Sequence, residues 1–349
     1  MNRNVDLRSD TVTLQPPAMK EAMMKAEVGD EYYGEDPSVI ALQEQTAKLF
    51  GKESALLTAS GTMGNLVSIL THTRPREMMI MEYDAHTFRC EVSHFAVVGG
   101  IASKLVKGRH GIMDPADLEA AVPTATGWAF PEPRLIGVEN THNAGGGTCV
   151  PPDYMAAYRK IADKHGLKIH VDGARIFNAA VALKVDVKEL ARDADSLTFC
   201  LSKGLSCPFG AVIVGTKEFT KAARKWQQMV GGGFRQIGYM AAAGMWALNN
   251  MVARLDDDHK NARFIADGLI KLGLEVDLET VQTNMCFFTV PPRLMDATEF
   301  SKQVNAVPGI KMNMARNAMI RTVTHYGIER EDCQYFLDVV RDVLKKGRR

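Results

Sequence analysis

Through the middle of the chain, short apolar runs alternate with longer stretches in which apolar residues recur every three to four positions. The runs fall at 78–81, 134–138, 168–171, 196–200 and 211–214, and helical spacing marks 153–165 and 217–229. Strands alternating with helices predict an α/β fold with a largely parallel sheet covered on both faces. The runs are short, as buried strands are, although a short apolar run does not by itself exclude buried helix. From Arg235 a long helical pattern continues to about Met251, with an Ala/Gly/Met face suited to close helix packing. Beyond it the pattern predicts a helix over 258–272, strands near 274–278 and 285–290, and a helix after Asp296. Strands near 310–314 and 319–324 and a basic amphipathic helix over 330–345 complete the chain. This last part reads as a smaller α+β domain, with a boundary near 249–254. The division is therefore a large domain over 14–250 and a small one over 251–349, to which the N-terminal segment 1–13 is assigned.

Composition narrows the class. Of 349 residues, 46% are hydrophobic and 24% charged, which excludes a disordered chain. A net charge of +1 favours neither nucleic acid nor an anionic membrane as partner. Six scattered cysteines without a C-x-x-C pair point to a reducing compartment. Residues 1–8 lack the apolar core of a signal peptide, and no apolar run approaches the roughly 18–20 residues of a membrane helix. The expectation is a cytoplasmic, globular protein.

Three segments carry candidate chemistry. Lys168-Ile-His-Val-Asp172 is a buried strand ending in a carboxylate. Ligands of open α/β sheets bind beyond the carboxyl ends of the strands, so Asp172 is aimed where a cofactor would sit. It is equally an aspartate that ends a strand or caps the next helix. Lys203 follows the strand at 196–200, one strand–helix–strand repeat later, so the two strand ends would present an acid and an amine to one crevice. Pyridoxal phosphate needs such a pair, a lysine for the Schiff base and an acid for the ring nitrogen. Ser60-Gly61-Thr62 opens a helical pattern, where freed backbone N–H groups suit a phosphate or simply form an N-cap. No P-loop, no dinucleotide-binding glycine pattern, no G-x-S-x-G elbow and no metal-ligand spacing is present. His86, just past the 78–81 strand, could stack on a flat ring, move a proton, or be a satisfied core histidine. The triple glycines 145–147 and 231–233 fit close approach to a ligand or tight loops alike.

Together the segments resemble the threonine aldolase group of the β-eliminating lyases, pyridoxal-phosphate enzymes of the aspartate aminotransferase fold (fold type I). The resemblance runs through Asp6-Leu-Arg-Ser9-Asp-Thr-Val-Thr13, Val28-Gly-Asp-Glu-Tyr-Tyr33-Gly-Glu-Asp-Pro37 and Ser60-Gly-Thr62-Met-Gly-Asn65. It continues with Glu139-Asn-Thr-His-Asn143, His170-Val-Asp172-Gly-Ala-Arg175 and Cys200-Leu-Ser-Lys203-Gly-Leu. Gly231-Gly-Gly-Phe-Arg235-Gln236 and Arg321-Thr-Val-Thr-His325 complete it. The resemblance implies that Lys203 is the Schiff-base lysine, Asp172 the partner of the pyridine nitrogen, and His86 a ring-stacking residue. It implies that Gly61 and Thr62 hold the phosphate, with Arg235 supplied across a subunit interface. Ser9, Arg175 and Arg321 would bind the substrate carboxylate, Arg175 also approaching the ring hydroxyl, and Tyr33 would lie near a neighbouring subunit's site. A homodimer or homotetramer with shared active sites is implied, and in some relatives a structural cation near Thr11, Thr13 and Ser202.

The implied reaction cleaves L-β-hydroxy-α-amino acids to glycine and an aldehyde. Two departures bear on the pocket for the β-substituent. Ala129 stands where the family commonly has a histidine facing the substrate hydroxyl, and Glu91-Val-Ser-His94 replaces a glycine-containing segment. Trp128 and Phe130 then read either as walls of an apolar pocket for a phenylserine-like substrate or as core residues, and His94 is a weak substitute for the missing histidine. The departures keep an alternative in play, a related pyridoxal-phosphate β-eliminating lyase or racemase acting on a different amino acid.

Overall fold

The computed structural model describes residues 4–124 and 127–347. Residues 1–3 of the N-terminal segment and the last two residues of the chain lie outside it. Eleven strands are described: β1 (Val5–Asp6), β2 (Ser54–Thr58), β3 (Glu77–Glu82), β4 (Ala102–Val106), β5 (Glu132–Glu139), β6 (Lys168–Asp172), β7 (Ser196–Cys200), β8 (Ala211–Gly215), β9 (Met285–Thr289), β10 (Ile310–Lys311) and β11 (Met319–Val323). Seven form one sheet in the order β2-β8-β7-β6-β5-β3-β4. Five neighbouring strands, β7 to β4, run parallel, whereas β8 is antiparallel to both β2 and β7. The fold is the α/β architecture that the alternation predicts.

Helices on both faces explain why the inner strands are apolar throughout rather than alternating. Every residue of β7 and β8 is buried. Phe199 of β7 packs against Phe50 and Phe177, with ring centroids 5.0 and 5.3 Å apart, and so ties the helices Pro37–Phe50 and Ile176–Leu183 to the sheet. The Ala/Gly/Met helix is Gly238–Asn250, and a Cβ on Gly244 would lie 3.1 Å from Leu42 of Pro37–Phe50, so its small residues let two helices approach closely.

A second core joins Val5 and Leu7 to Ile265, Leu269, Phe288, Phe300, Ile320, Phe336 and Val340. Here β1 pairs in parallel with β10, and β9 pairs antiparallel with β11. The strand expected near 274–278 does not form. Glu275 makes a single bridge to Thr289, after which Asp277 starts a turn by accepting the N–H groups of Glu279 and Thr280. The strand expected over 310–314 shortens to Ile310–Lys311. Gly145–Gly147 packs protein on protein: Cβ atoms on Gly146 and Gly147 would each fall 2.6 Å from Thr280 and Thr283. Among the described residues no helix is long and apolar enough to cross a membrane.

Candidate active site

The parallel register brings three strand ends level, with Glu139 of β5 opposite Asp172 of β6 and Asp172 opposite Thr198 of β7. Asp172 is buried, accepting the Asn65 side-chain amide at 2.9 Å and the Ala174 N–H at 3.1 Å. No lysine or arginine forms an ion pair with it among the described residues. Burial first, and then the charges of Glu91 and Glu139, push its carboxyl well above the usual carboxylate range. Lys203 lies just past β7 in a turn closed by the Ser206 N–H on its carbonyl at 2.8 Å. Its charge favours the ionised form of Asp172 and of Asp10 alike.

His86 begins the short helix His86–Arg89, and its backbone N–H donates to Glu139 at 2.7 Å. Its Nδ1 lies 2.8 Å from Glu91 Oε1, and its side chain is 32% exposed, so one nitrogen is engaged while the ring still reaches the cleft. The hydrogen bond to Glu91 outweighs burial and raises His86 above the ordinary imidazole value. Asn65, from the helix Gly61–His72, donates to both Asp172 and Glu91, at 2.9 and 3.0 Å. Its carbonyl oxygen faces His170 Nε2 at 3.2 Å, and His170 Nδ1 meets the Ser196 hydroxyl at 2.8 Å. Burial lowers His170 to about 3, so this ring is a neutral support beneath Asp172 rather than a ligand.

Ser60 caps the helix that carries Asn65, accepting the Met63 N–H at 3.1 Å. Gly61 and Thr62 then form the first turn, where N–H groups and the helix dipole favour an anion. A Cβ on Gly61 would fall 2.7 Å from Cys200 Sγ, so glycine lets the helix start approach the end of β7.

Arg175 and Arg321 differ from what their shared role would require. One edge of Arg175 is committed to Asp10, Nε to Oδ2 at 2.6 Å and Nη2 to Oδ1 at 2.7 Å, with both groups buried. Arg175 is thus no free two-pronged receptor. Arg321 has no carboxylate in ion-pair contact among the described residues. Its Nη1 donates to Asn143 at 2.6 Å and its Nη2 to the Arg8 carbonyl at 3.2 Å, which sets it beside Ser9. Burial and the charge of Arg175 lower its pKa, so an incoming carboxylate would meet two guanidinium groups and one balancing acid. Ser9 itself caps the following turn, taking the Thr11 N–H and hydroxyl at 3.2 and 2.9 Å, while the Thr13 hydroxyl donates to the Asp10 carbonyl.

Two predicted residues stand apart from this cluster. Tyr33 is exposed, and Arg235 lies over the Tyr32 ring at 4.7 Å with a long 3.9 Å approach to Asp30. No contact joins either to Lys203 or Asp172 within the chain. Trp128 and Phe130 are corrected more sharply. Trp128 is 99% exposed and Phe130 54%, so neither is core. They and Ala129 precede the N-terminal end of β5, whose eight residues span about 26 Å, and the cleft lies at its other end. Within one chain they line no substrate pocket.

Asp10, Glu91 and Asn65 have places in the site that the sequence alone does not reveal. Each sits inside a quoted motif, but a role depends on a partner distant in the chain. The local signal was an acid or amide next to a predicted site residue.

This donor set fits pyridoxal phosphate: a buried carboxylate without a cation for a ring N–H, a helix start for the phosphate, and a lysine amine for the aldehyde. Residues 6–291 match the family model of the β-eliminating lyases. A low-specificity L-threonine aldolase of Arabidopsis thaliana is 41% identical over 346 residues, covering 98% of this chain and 97% of the relative. The low specificity L-threonine aldolase of Escherichia coli O157:H7 is 41% identical over 94% of this chain and 95% of its own length. Among solved structures, a Leishmania major threonine aldolase superposes with a TM-score of 0.83 at 19% identity, covering 97% of this chain and 99% of that one.

Proposed function

The chain belongs to the β-eliminating lyase family, and on that premise we propose that it is a pyridoxal-phosphate lyase cleaving L-β-hydroxy-α-amino acids, L-threonine and L-allo-threonine among them, to glycine and an aldehyde. The observation that carries the reading is Asp172, a buried carboxylate that makes no ion pair among the described residues, one strand over from the Lys203 turn.

When bound, pyridoxal phosphate supplies a protonated pyridine ring that takes up the electron pair released as the Cα–Cβ bond breaks. Lys203 would hold the cofactor through its Nζ. Asp172 keeps the proton on the ring nitrogen, with Asn65 and the Ala174 N–H fixing its two oxygens. Gly61 and Thr62 take the phosphate. Arg321, aimed by Asn143 and the Arg8 carbonyl, takes the substrate carboxylate together with Ser9, and Arg175 supplies charge from behind. His86 would stack on the ring, and with Nδ1 engaged by Glu91 its Nε2 would be the nitrogen left to receive the β-hydroxyl proton.

We assign the same division of labour to the domains, 14–250 for the cofactor and 251–349 with 1–13 for closing over the substrate; the two separate hydrophobic cores support it. Exposed Tyr33 and Arg235 support a homodimer or homotetramer in which each copy completes the other's site. Six free cysteines fit the cytoplasm.

The test is aldehyde release from L-threonine, L-allo-threonine and L-phenylserine, with Lys203→Ala as control. Aldehyde and glycine in equal amounts, lost in the variant, is the expected result. Ammonia with a keto acid, or racemised substrate, would replace the aldolase by the eliminating or racemising alternative.

A further inference from the structure

The mechanism gives no task to His94, a largely buried imidazole. His94 opens the helix His94–Gly99 and places its Nε2 2.6 Å from Oε2 of Glu91, the oxygen that neither His86 nor Asn65 uses. Its side chain is 10% exposed, and its other ring nitrogen is buried with no hydrogen-bond partner. Among the described residues the Glu91 carboxylate is thus the sole polar contact of this ring. The chain turns sharply to deliver it: Val92 and Ser93, neither a glycine, take φ of 55° and 53° in the left-handed region. Ser93 precedes the helix yet makes no side-chain cap, so helix capping does not account for the turn.

We propose that His94 is a positioning residue of the reaction, which clamps the second oxygen of Glu91 so that the first stays ionised and aimed at Nδ1 of His86. The chain His94–Glu91–His86 sets which nitrogen of His86 carries its proton and which faces the cleft. Glu91 needs the help. It is buried among negative neighbours, Asp172 from β6 and Glu139 from β5, each within electrostatic reach of His86. Burial alone would raise its carboxyl, and the hydrogen bonds from His86 and His94 override that and hold it low. The other titratable groups on this cluster are Cys90 beside Glu91, His170 beneath Asn65, and Lys203 across Asp172. None of them touches Glu91 Oε2, so among the described residues its only donor is His94.

With His94→Ala, Oε2 becomes a buried acceptor without a donor, Glu91 ionises less readily, and its carboxylate is no longer held so that Oε1 aims at Nδ1, which weakens the hydrogen bond that raises His86. His94→Gln keeps a donor within reach of the same oxygen. The measurement is the pH titration of the His86 ring by NMR in ¹³C-histidine-labelled holoenzyme, assigned with His86→Gln and read beside the pH profile of kcat/KM. In His94→Ala the His86 midpoint should fall by about half a pH unit or more, with the acid limb of kcat/KM moving down with it. His94→Gln should keep both within about 0.2 of the parent. An unchanged midpoint in His94→Ala would overturn the proposal, and so would an equal fall in both variants. This role rests on the catalytic use of His86, but the NMR titration does not. Absence of aldehyde would sink the aldolase reading alone, while a fixed midpoint would sink this one alone.

Discussion

Asp10 and Asp172 are both aspartates sealed inside the same cleft, and the fold treats them oppositely. Burial alone would raise both. At Asp10 the Arg175 guanidinium overrides burial and holds the carboxyl well below the usual range. At Asp172 no lysine or arginine makes an ion pair among the described residues, Lys203 and His86 act only from a distance, and Glu91 and Glu139 add to the penalty. The first pair is complete within the chain and therefore structural. The second is incomplete, and an incomplete buried charge is where a protein expects a ligand.

The comparison breaks most visibly at Asp172. On the proposed role, Asp172→Ala removes the group that would keep the ring nitrogen protonated, so kcat should drop about a thousand-fold or more, ~4 kcal/mol, with KM changed far less. Steady-state kinetics on the cofactor-saturated variant decide it, and a KM effect alone would assign Asp172 to binding. Asp10→Ala acts instead on the fold. It leaves Arg175 buried without its anion, which should cost about 3–5 kcal/mol of stability by denaturant titration. Asp10→Ala combined with Arg175→Met should recover part of that loss, because the stranded charge goes with it.

Acidity separates the two aspartates by sign. The lowered carboxyl of Asp10 contributes stability present above the unfolded value of about 3.9, and it is lost as pH falls through the depressed one. The raised carboxyl of Asp172 in cofactor-free protein contributes stability present below about 3.9, lost as pH rises through the elevated one. Asp172→Asn should therefore flatten the fall in cofactor-free stability above pH 4, while Asp10→Asn should lower stability throughout the range above about pH 4 and remove the loss on the strongly acid side. Stability curves across pH, with and without cofactor, test this, and a common direction for both variants would refute the contrast.

How much of this was legible follows from the range of each signal. The alternation of strands and helices is written in short periods, so the runs at 196–200 and 211–214 locate β7 and β8 closely. Asp172 and Lys203 could be picked out because a strand end is a local feature with a known place in an α/β sheet. Asp10 has no such marker, since its partner Arg175 is 165 residues away. Asn65 reaches Asp172 across 107 residues. Glu91 shows its place only when the left-handed turn at Val92 and Ser93 folds His94 back onto it. The run at 274–278 was misread because an apolar alternation says nothing of the turn that Asp277 makes.

Arg321 and Arg175 repeat the contrast among cations. Arg321→Lys keeps the charge but loses the fork that Asn143 and the Arg8 carbonyl orient, so KM should rise about tenfold, ~1.4 kcal/mol, with kcat less affected. If kcat fell as far as KM rose, Arg321 would be acting in the transition state rather than as an anchor.

The smallest effect belongs to the far end of the sheet, where Trp128 stands 99% exposed. A tryptophan usually stabilises by the area it buries, and this one buries almost none against its own chain. Trp128→Ala should therefore change unfolding stability by less than about 0.5 kcal/mol, as surface substitutions do. Denaturant unfolding at two protein concentrations reads the result. A larger loss that grows on dilution would mean that a second copy covers the ring, because no contact within the chain is there to be lost.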